Sequence, residues 1–391
     1  MESHGPRGLL RYFEDLKDPR VKRTRHHRLD DILALAILAI ICGAEGWTQV
    51  EEFARSKRKW LQTFLHLPHG IPSHDTLGRV FAKLDPLAFE RCFLAWVQGL
   101  TESSGEQALH IDGKTLRRSF DTASSKAALH MISAWSSQAK MVLSQRAIKQ
   151  KSNEITAIPK LLELVCLHGA VVTIDAMGCQ KEIAKKIVQE GGDYILAVKD
   201  NQPSLHEDLK LLFDEALAND FEHMGYDYHP GEVEKGHSRL ERRRVWVTRE
   251  VDWLRERGEW AGLRGAVLVE RERQVLNPAD PAAPAKVTRE RCYFITSLDH
   301  RDRGKDAAYF GRHIRDHWTV ENQRHWSLDV AFEEDDCRVR QGHAAENLSR
   351  LRRMALNLLK NENTCKGGIQ TKRLKAGWDN DYLLKVLRGG N

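Results

Sequence analysis

Two aspartates close short apolar runs and are followed by small residues. Ala108-Leu-His-Ile leads into Asp112 and Gly113, and Val171-Val-Thr-Ile leads into Asp175, with Gly178 just beyond. An Asp at the end of a strand, taken singly, is usually a turn former that bonds its own backbone. The pair says more. The order of elements around them makes their strands neighbours in a parallel pair, so both carboxylates converge on one sheet edge, where open α/β sheets place ligands. Carboxylates that close repel, and one pKa rises unless a cation sits between them. Magnesium suits the place, since it favours carboxylate and water oxygens and seldom has an all-protein cage.

A third acid should come from a helix packed beside these strands. Ile314, His317, Trp318, Glu321, His325 and Leu328 share one face at 3.6 residues per turn, with Glu321 in the middle. A carboxylate among Ile, Trp and Leu is costly without a partner. A metal provides one; a basic residue from elsewhere is the alternative. Asp329 is a rival on the same helix, whereas the acids Glu333, Glu334, Asp335 and Asp336 read as a solvated turn.

These groups must be positioned by an α/β core. Strands are expected at 108–114, 129–135 and 141–148, a helix at 154–167, a strand at 171–175, a helix at 181–190 and a strand at 193–199. Three strands, helix, strand, helix, strand is the order of a ribonuclease-H-like mixed sheet flanked by helices. A β-rich insertion is expected at about 220–298, with a Pro/Ala-rich loop at 277–285, before helices return with the apolar stripe Leu348, Leu351, Ala355 and Leu358. The N-terminal part reads as a small helical domain. Asp30-Asp31 caps an all-apolar helix stopped by Gly43, a second helix spans about 48–64, and Gly70-Ile-Pro-Ser-His-Asp-Thr caps a third. That last pattern is compatible with a helix-turn-helix that touches DNA through Arg79 and Lys83, and equally with plain packing. The implied division is 1–103, helical; 104–365, catalytic with the insertion; and 366–391, a basic tail.

The chain has 391 residues, enough for two to three compact units at ~150 each. Hydrophobic residues are 41% and charged residues 30%, which excludes wholesale disorder. The longest apolar run, Ile32 to Cys42, falls short of the ~18–20 residues a membrane span needs. The first residues lack the layout of a secretory signal, so a cytoplasmic protein is expected. Seven dispersed cysteines without a C-x-x-C pair fit reduced thiols.

The net charge of +6 is a weak pointer to a polyanion, but the cations cluster. Runs occur at Lys22, Arg23, Arg25 and Arg28, at Arg55, Lys57, Arg58 and Lys59, at Arg242 to Arg244, and at Arg350, Arg352 and Arg353. Any one run reads as a solvated helix face; several together favour a polyanionic partner. His237, Arg239, Glu241 and Arg243 would share one strand face, as a DNA-facing strip or as an ion-pair ladder. Lys114, Lys199, Asn201 and Gln202 flank the acidic site as phosphate-holding candidates, against readings as a solvated lysine and a capped turn.

Taken together, Tyr12-Phe-Glu-Asp-Leu-Lys-Asp-Pro-Arg-Val, Cys42-Gly-Ala-Glu-Gly-Trp, Ile111-Asp-Gly-Lys, Thr173-Ile-Asp-Ala-Met-Gly-Cys-Gln, Asp193-Tyr-Ile-Leu-Ala-Val-Lys-Asp-Asn-Gln-Pro and His317-Trp-Thr-Val-Glu-Asn are distinctive. In this order, over nearly the whole chain, they resemble the H-repeat-associated DDE transposases of bacterial insertion sequences. The resemblance implies a DDE triad of Asp112, Asp175 and Glu321. Asp112 would bridge two Mg²⁺ ions (Mn²⁺ substituting) about 3.5–4 Å apart, as in two-metal phosphoryl transfer. It further implies double-stranded DNA as partner, both terminal inverted repeats and target, a homodimer on the DNA ends, and a nucleoid-associated cytoplasmic location. The wider superfamily surrounds the glutamate with Tyr, Arg and Lys. This chain has Ile314, His317 and Leu328 there, which leaves phosphate contacts to Arg315, Arg324 or His325. The alternatives are a ribonuclease-H-like nuclease or resolvase without strand transfer, and an inactive DNA-binding relic.

Overall fold

A computed structural model describes residues 7–100, 107–120, 127–148, 154–236, 239–275, 286–320 and 326–388. Ten strands lie among them: β1 (Gln107–Leu116), β2 (Leu129–Ser136), β3 (Met141–Ile148), β4 (Ala170–Ile174), β5 (Asp193–Val198), β6 (Tyr226–His229), β7 (Val233–Gly236), β8 (Arg239–Thr248), β9 (Gly265–Val275) and β10 (Lys286–Thr296). The chain forms two compact units. One holds residues 1–105, 113–157 and 321–391, and the other holds 106–112 and 158–320. Strand β1 begins in the second and ends in the first.

In the second unit the strand order is β1-β4-β5-β10-β9-β8-β6, with β7 paired to β8. Strands β1, β4 and β5 run parallel, and their apolar runs are buried on both faces, as parallel strands require. The tract read as a β-rich insertion is continuous with the core sheet. Strand β10 pairs antiparallel with β5 over Tyr293–Thr296, so β10, β9 and β8 extend the same sheet. The helix Ala307–Val320 covers it, placing Phe310 and Ile314 among Val171, Val245, Val267 and Phe294. The outer ends of β8, β9 and β10 carry a ladder of charges. Arg243 meets Glu234 at 3.0 Å and Glu241 at 2.5 Å, Arg273 meets Glu241 at 2.9 Å, and Arg244 meets Glu270 at 2.9 Å. Cross-strand partners therefore account for the basic texture of this tract.

The first unit is mainly helical, with the antiparallel β2–β3 pair and the end of β1 beside β2. The apolar helix Leu29–Ile41 is buried almost all round, as expected of the centre of a bundle. Its cap differs from the sequence reading. Asp31 does not close its own helix; its carboxylate accepts from the backbone N–H of His66 and Leu67. Ser73 caps the helix His74–Lys83 through Thr76 N–H, and Asp85 with Pro86 starts the helix Pro86–Gln98. The C-terminal residues form the helices Ile369–Trp378 and Asn380–Leu387.

The long helix Ala344–Asn361 overturns one expectation. Its run Arg350, Arg352 and Arg353 is not a solvated or polyanion-facing patch, because all three side chains are buried. Arg350 pairs with Glu90 at 2.5 Å and Glu346 at 2.7 Å, Arg352 with Glu45 at 3.6 Å, and Arg353 with Glu334 at 2.6 Å. The acidic turn is likewise not solvated throughout: Glu334 is 1% exposed. Burial alone would raise the Glu334 carboxyl, but Arg353 and Lys114 outweigh it and hold it at about 2. A depressed folded-state pKa contributes stability that is present above the unfolded value near 4.5 and lost as pH falls towards about 2. Denaturation measured stepwise from pH 5 to pH 2.5 should show this loss, and Glu334→Gln should flatten it. Among the described residues no helix is long and apolar enough to cross a membrane. None of the seven cysteines is in a disulfide.

Candidate active site

The parallel register brings the first two acids together. Ile111 lies opposite Ile174, so Asp112 and Asp175 directly follow the last registered pair of β1 and β4. Strand β4 ends there, but β1 runs on to Leu116, so Asp112 lies within its strand and does not close it as the apolar run suggests. Asp112 is half-buried and Asp175 exposed. Asp175 also behaves as a local turn former, its Oδ1 accepting from Gly178 N–H at 3.3 Å. The loop after β5 braces this turn: Asn201 Nδ2 donates to Ala176 O at 2.6 Å and Gln202 Nε2 to Cys179 O at 2.9 Å. Both amides are thus engaged in backbone support, while Lys199 beside them is exposed.

Beneath the carboxylates lies a polar layer that sequence reasoning missed. His110 Nδ1 is 2.6 Å from Thr173 Oγ1, which is 2.9 Å from His317 Nδ1. One hydroxyl has one proton, so Thr173 donates to one imidazole and accepts from the other. Burial, with His317 and His313 nearby, pushes His110 well below its usual value and keeps it neutral at pH 7. The signal was in the spacing. His110 and Thr173 stand two residues before Asp112 and Asp175, hence on the same strand parity, and His317 stands one helical turn before Glu321. His317 replaces the superfamily arginine and is spent on the sheet. Ile314 and Leu328, at the other departing positions, are buried apolar residues.

Glu321, Arg324, His325 and His237 lie outside the described residues. Among the described residues no three His, Cys, Asp or Glu side chains are grouped to hold a metal ion. Two aspartates that follow a registered pair on neighbouring strands nevertheless have the oxygen chemistry that magnesium prefers.

The remaining candidates divide clearly. Arg79 and Lys83 are exposed on the helix His74–Lys83. Arg243 belongs to the ion-pair ladder, Arg239 approaches Glu241 at 3.6 Å, and Arg315 is bound to both oxygens of Glu234. Lys114 is neither solvated nor open to a phosphate. It is 6% exposed and pairs with Asp329, with Asp335 at 3.4 Å and with Glu334 at 3.9 Å.

On the other strand parity, Gly113 has a steric reason to be glycine. A Cβ there would lie 2.6 Å from His130 Nε2 and 2.7 Å from Glu154 Oε1. Those side chains are buried against each other, and His130 Nδ1 is held by Thr115 Oγ1 at 2.7 Å, so neither yields freely. Gly113→Ala should destabilise the protein by roughly 1–3 kcal/mol, read as a lower urea midpoint at unchanged slope.

The chain is similar over most of its length to known proteins. Residues 103–358 match the family described as Transposase DDE domain, and residues 10–97 match the family described as DDE_Tnp_1-associated. An H repeat-associated putative transposase, YhhI, of Escherichia coli K12 is 39% identical over 97% of this chain and 98% of its own length. A putative transposase, YncI, of Escherichia coli O157:H7 is 39% identical over 97% of this chain and 94% of its own. A piggyBac transposase in a synaptic complex with hairpin DNA aligns at 11% identity and TM-score 0.40, covering 99% of this chain and 82% of that one. With a family match across most of its length and relatives 39% identical over nearly the whole chain, the chain belongs to the H-repeat-associated DDE-domain transposases.

Proposed function

We propose that the protein is an active transposase that cuts the terminal inverted repeats of its own element and joins the ends to target DNA. The observation that carries this reading is the register pairing Ile111 with Ile174, which places Asp112 and Asp175 just past the last registered pair of β1 and β4. Asp112, Asp175 and Glu321 would hold magnesium, whose chemistry when bound there would be to activate water or a DNA 3′-hydroxyl and to stabilise the leaving oxygen. The chain's own contribution is to hold the carboxylates in place. His110 and Thr173 tie β1 to β4, and Asn201 and Gln202 steady the turn that carries Asp175. His317 ties its helix to Thr173, which supports Glu321, one turn further along the sequence, as the third acid.

Double-stranded DNA would be gripped in part by the exposed Lys199, Arg79 and Lys83, with residues 1–103 as the end-recognition region and two copies acting on paired ends. Residues 104–365 would be the catalytic domain and 366–391 a basic extension. The test is incubation of the purified protein with its element's end DNA and Mg²⁺, scored for nicking and for joining of a pre-cleaved end. Nicking without joining would favour a nuclease or resolvase. Binding with neither would favour a DNA-binding relic.

A further inference from the structure

Within the first unit a second group of side chains is arranged for chemistry, apart from the acids discussed above. Thr115 is an exposed residue near the end of β1, and its Oγ1 lies 2.7 Å from Nδ1 of His130 on β2. The other ring nitrogen of His130 meets a carboxylate oxygen of Glu154, the first residue of the helix Glu154–Leu162. His130 is 3% and Glu154 6% exposed, so hydroxyl, imidazole and carboxylate form a line that leads from the surface into the interior. Gly113, on the same strand parity as Thr115, leaves the room that the two buried side chains fill.

We propose that Thr115, His130 and Glu154 form a second reactive centre, one that needs no metal, in which the Thr115 hydroxyl attacks activated carboxylic esters. A nucleophile in hydrogen-bond reach of a base, with the base oriented by a third group, is the arrangement that activates a hydroxyl. Which imidazole nitrogen carries the proton is set by what the other one meets. Facing a carboxylate, Nε2 keeps the proton, which leaves the Nδ1 lone pair to accept from the Thr115 hydroxyl. In the reaction a bond forms from Thr115 Oγ1 to the acyl carbon, and the bond from that carbon to the leaving oxygen breaks. The hydroxyl proton passes to His130 Nδ1 and on to the departing alcohol, while Glu154 stabilises the imidazolium in between. Water then repeats the attack, releasing the carboxylic acid and returning a proton to Thr115. A structural tie alone is a poor use of these groups, because burying a histidine against a carboxylate is costly and its hydrogen bond to an exposed hydroxyl returns little. None of Asp112, Asp175 and Glu321 takes part, so this centre stands or falls apart from the DDE reading.

The test uses the full chain in the presence of a metal chelator, with p-nitrophenyl acetate as probe. Release of p-nitrophenol is timed, and the acetylated residues are located by peptide mass after acid quenching. The parent should carry acetyl on Thr115. Thr115→Val keeps the shape at an exposed position and removes the hydroxyl, so it should lose that adduct and its share of the release. Thr115→Ser, which puts a hydroxyl back, should keep an adduct at position 115. His130→Gln should slow acetylation of Thr115 by about 100-fold or more, the usual contribution of a general base. Acetyl groups found only on lysines, cysteines or the amino terminus overturn the proposal. So does an adduct on Thr115 that forms as fast in His130→Gln as in the parent, since the imidazole is then only a brace. Should His130→Gln fail to fold, the parent unfolded in urea replaces it. With the three side chains separated, acetylation of Thr115 should fall by a similar factor, and an unchanged rate there also overturns the proposal.

Discussion

Asp112→Asn, Asp175→Asn and Glu321→Gln should each abolish magnesium-dependent strand cleavage while leaving binding to end DNA largely intact. Each change would remove one charged oxygen from the proposed metal site and keep the side-chain shape. Loss of a metal ligand costs several kcal/mol of transition-state stabilisation, and every 1.36 kcal/mol is tenfold in rate, so a fall of about 10³-fold or more is expected. DNA affinity rests chiefly on cations against phosphates and should survive. Asp329 provides the internal control. It is already committed to Lys114, so Asp329→Asn should keep residual cleavage. A dead Asp329→Asn protein beside a live Glu321→Gln protein would reassign the third acid. The measurement is single-turnover nicking of labelled end DNA, with band-shift titration of the same samples.

The strands of the parallel core were legible because each is a short apolar run bounded by turn formers. β4 and β5 were placed at 171–175 and 193–199 and are observed at Ala170–Ile174 and Asp193–Val198. Adjacency of Asp112 and Asp175 followed from strand order alone. The partner of β10 was not legible: alternation tells which face of a strand is buried but not which neighbour it pairs with, so nothing in the β-rich tract announced its return to β5. Buried ion pairs were the other blind spot. Arg350 meets Glu90 and Arg352 meets Glu45, partners too distant in sequence for any periodicity to reveal. A run of like charges reads as solvated until the opposing acid is located. Lys114 was misjudged in the same way, since neither a solvated side chain nor a phosphate hook anticipates a cage supplied from beyond residue 320.

The buried pair Glu334–Arg353 should be the costliest ion pair in the protein to break on one side. Glu334 is 1% and Arg353 0% exposed, and Arg353 reaches both carboxylate oxygens, at 2.6 and 3.3 Å. Removing one member of such a pair strands the other charge in a low-dielectric setting, which typically costs about 3–5 kcal/mol. The two halves are not equivalent. Arg353→Met leaves Glu334 with Lys114 3.9 Å away and Ser349 still donating, so part of its charge remains compensated. Glu334→Gln leaves Arg353, among the described residues, with the hydroxyl and carbonyl of Ser349, and it also unsettles Lys114. Glu334→Gln should therefore be the more damaging, with a midpoint lowered by on the order of 10 °C, at a few degrees per kcal/mol. The double variant should cost less than the sum of the singles, because neither charge is then left alone; a coupling of about 1–3 kcal/mol is expected for contacting partners. Urea denaturation of the four proteins closes the cycle. Additivity within about 0.5 kcal/mol would mean that the pair contributes nothing jointly and that Arg353 is held by its serine contacts instead.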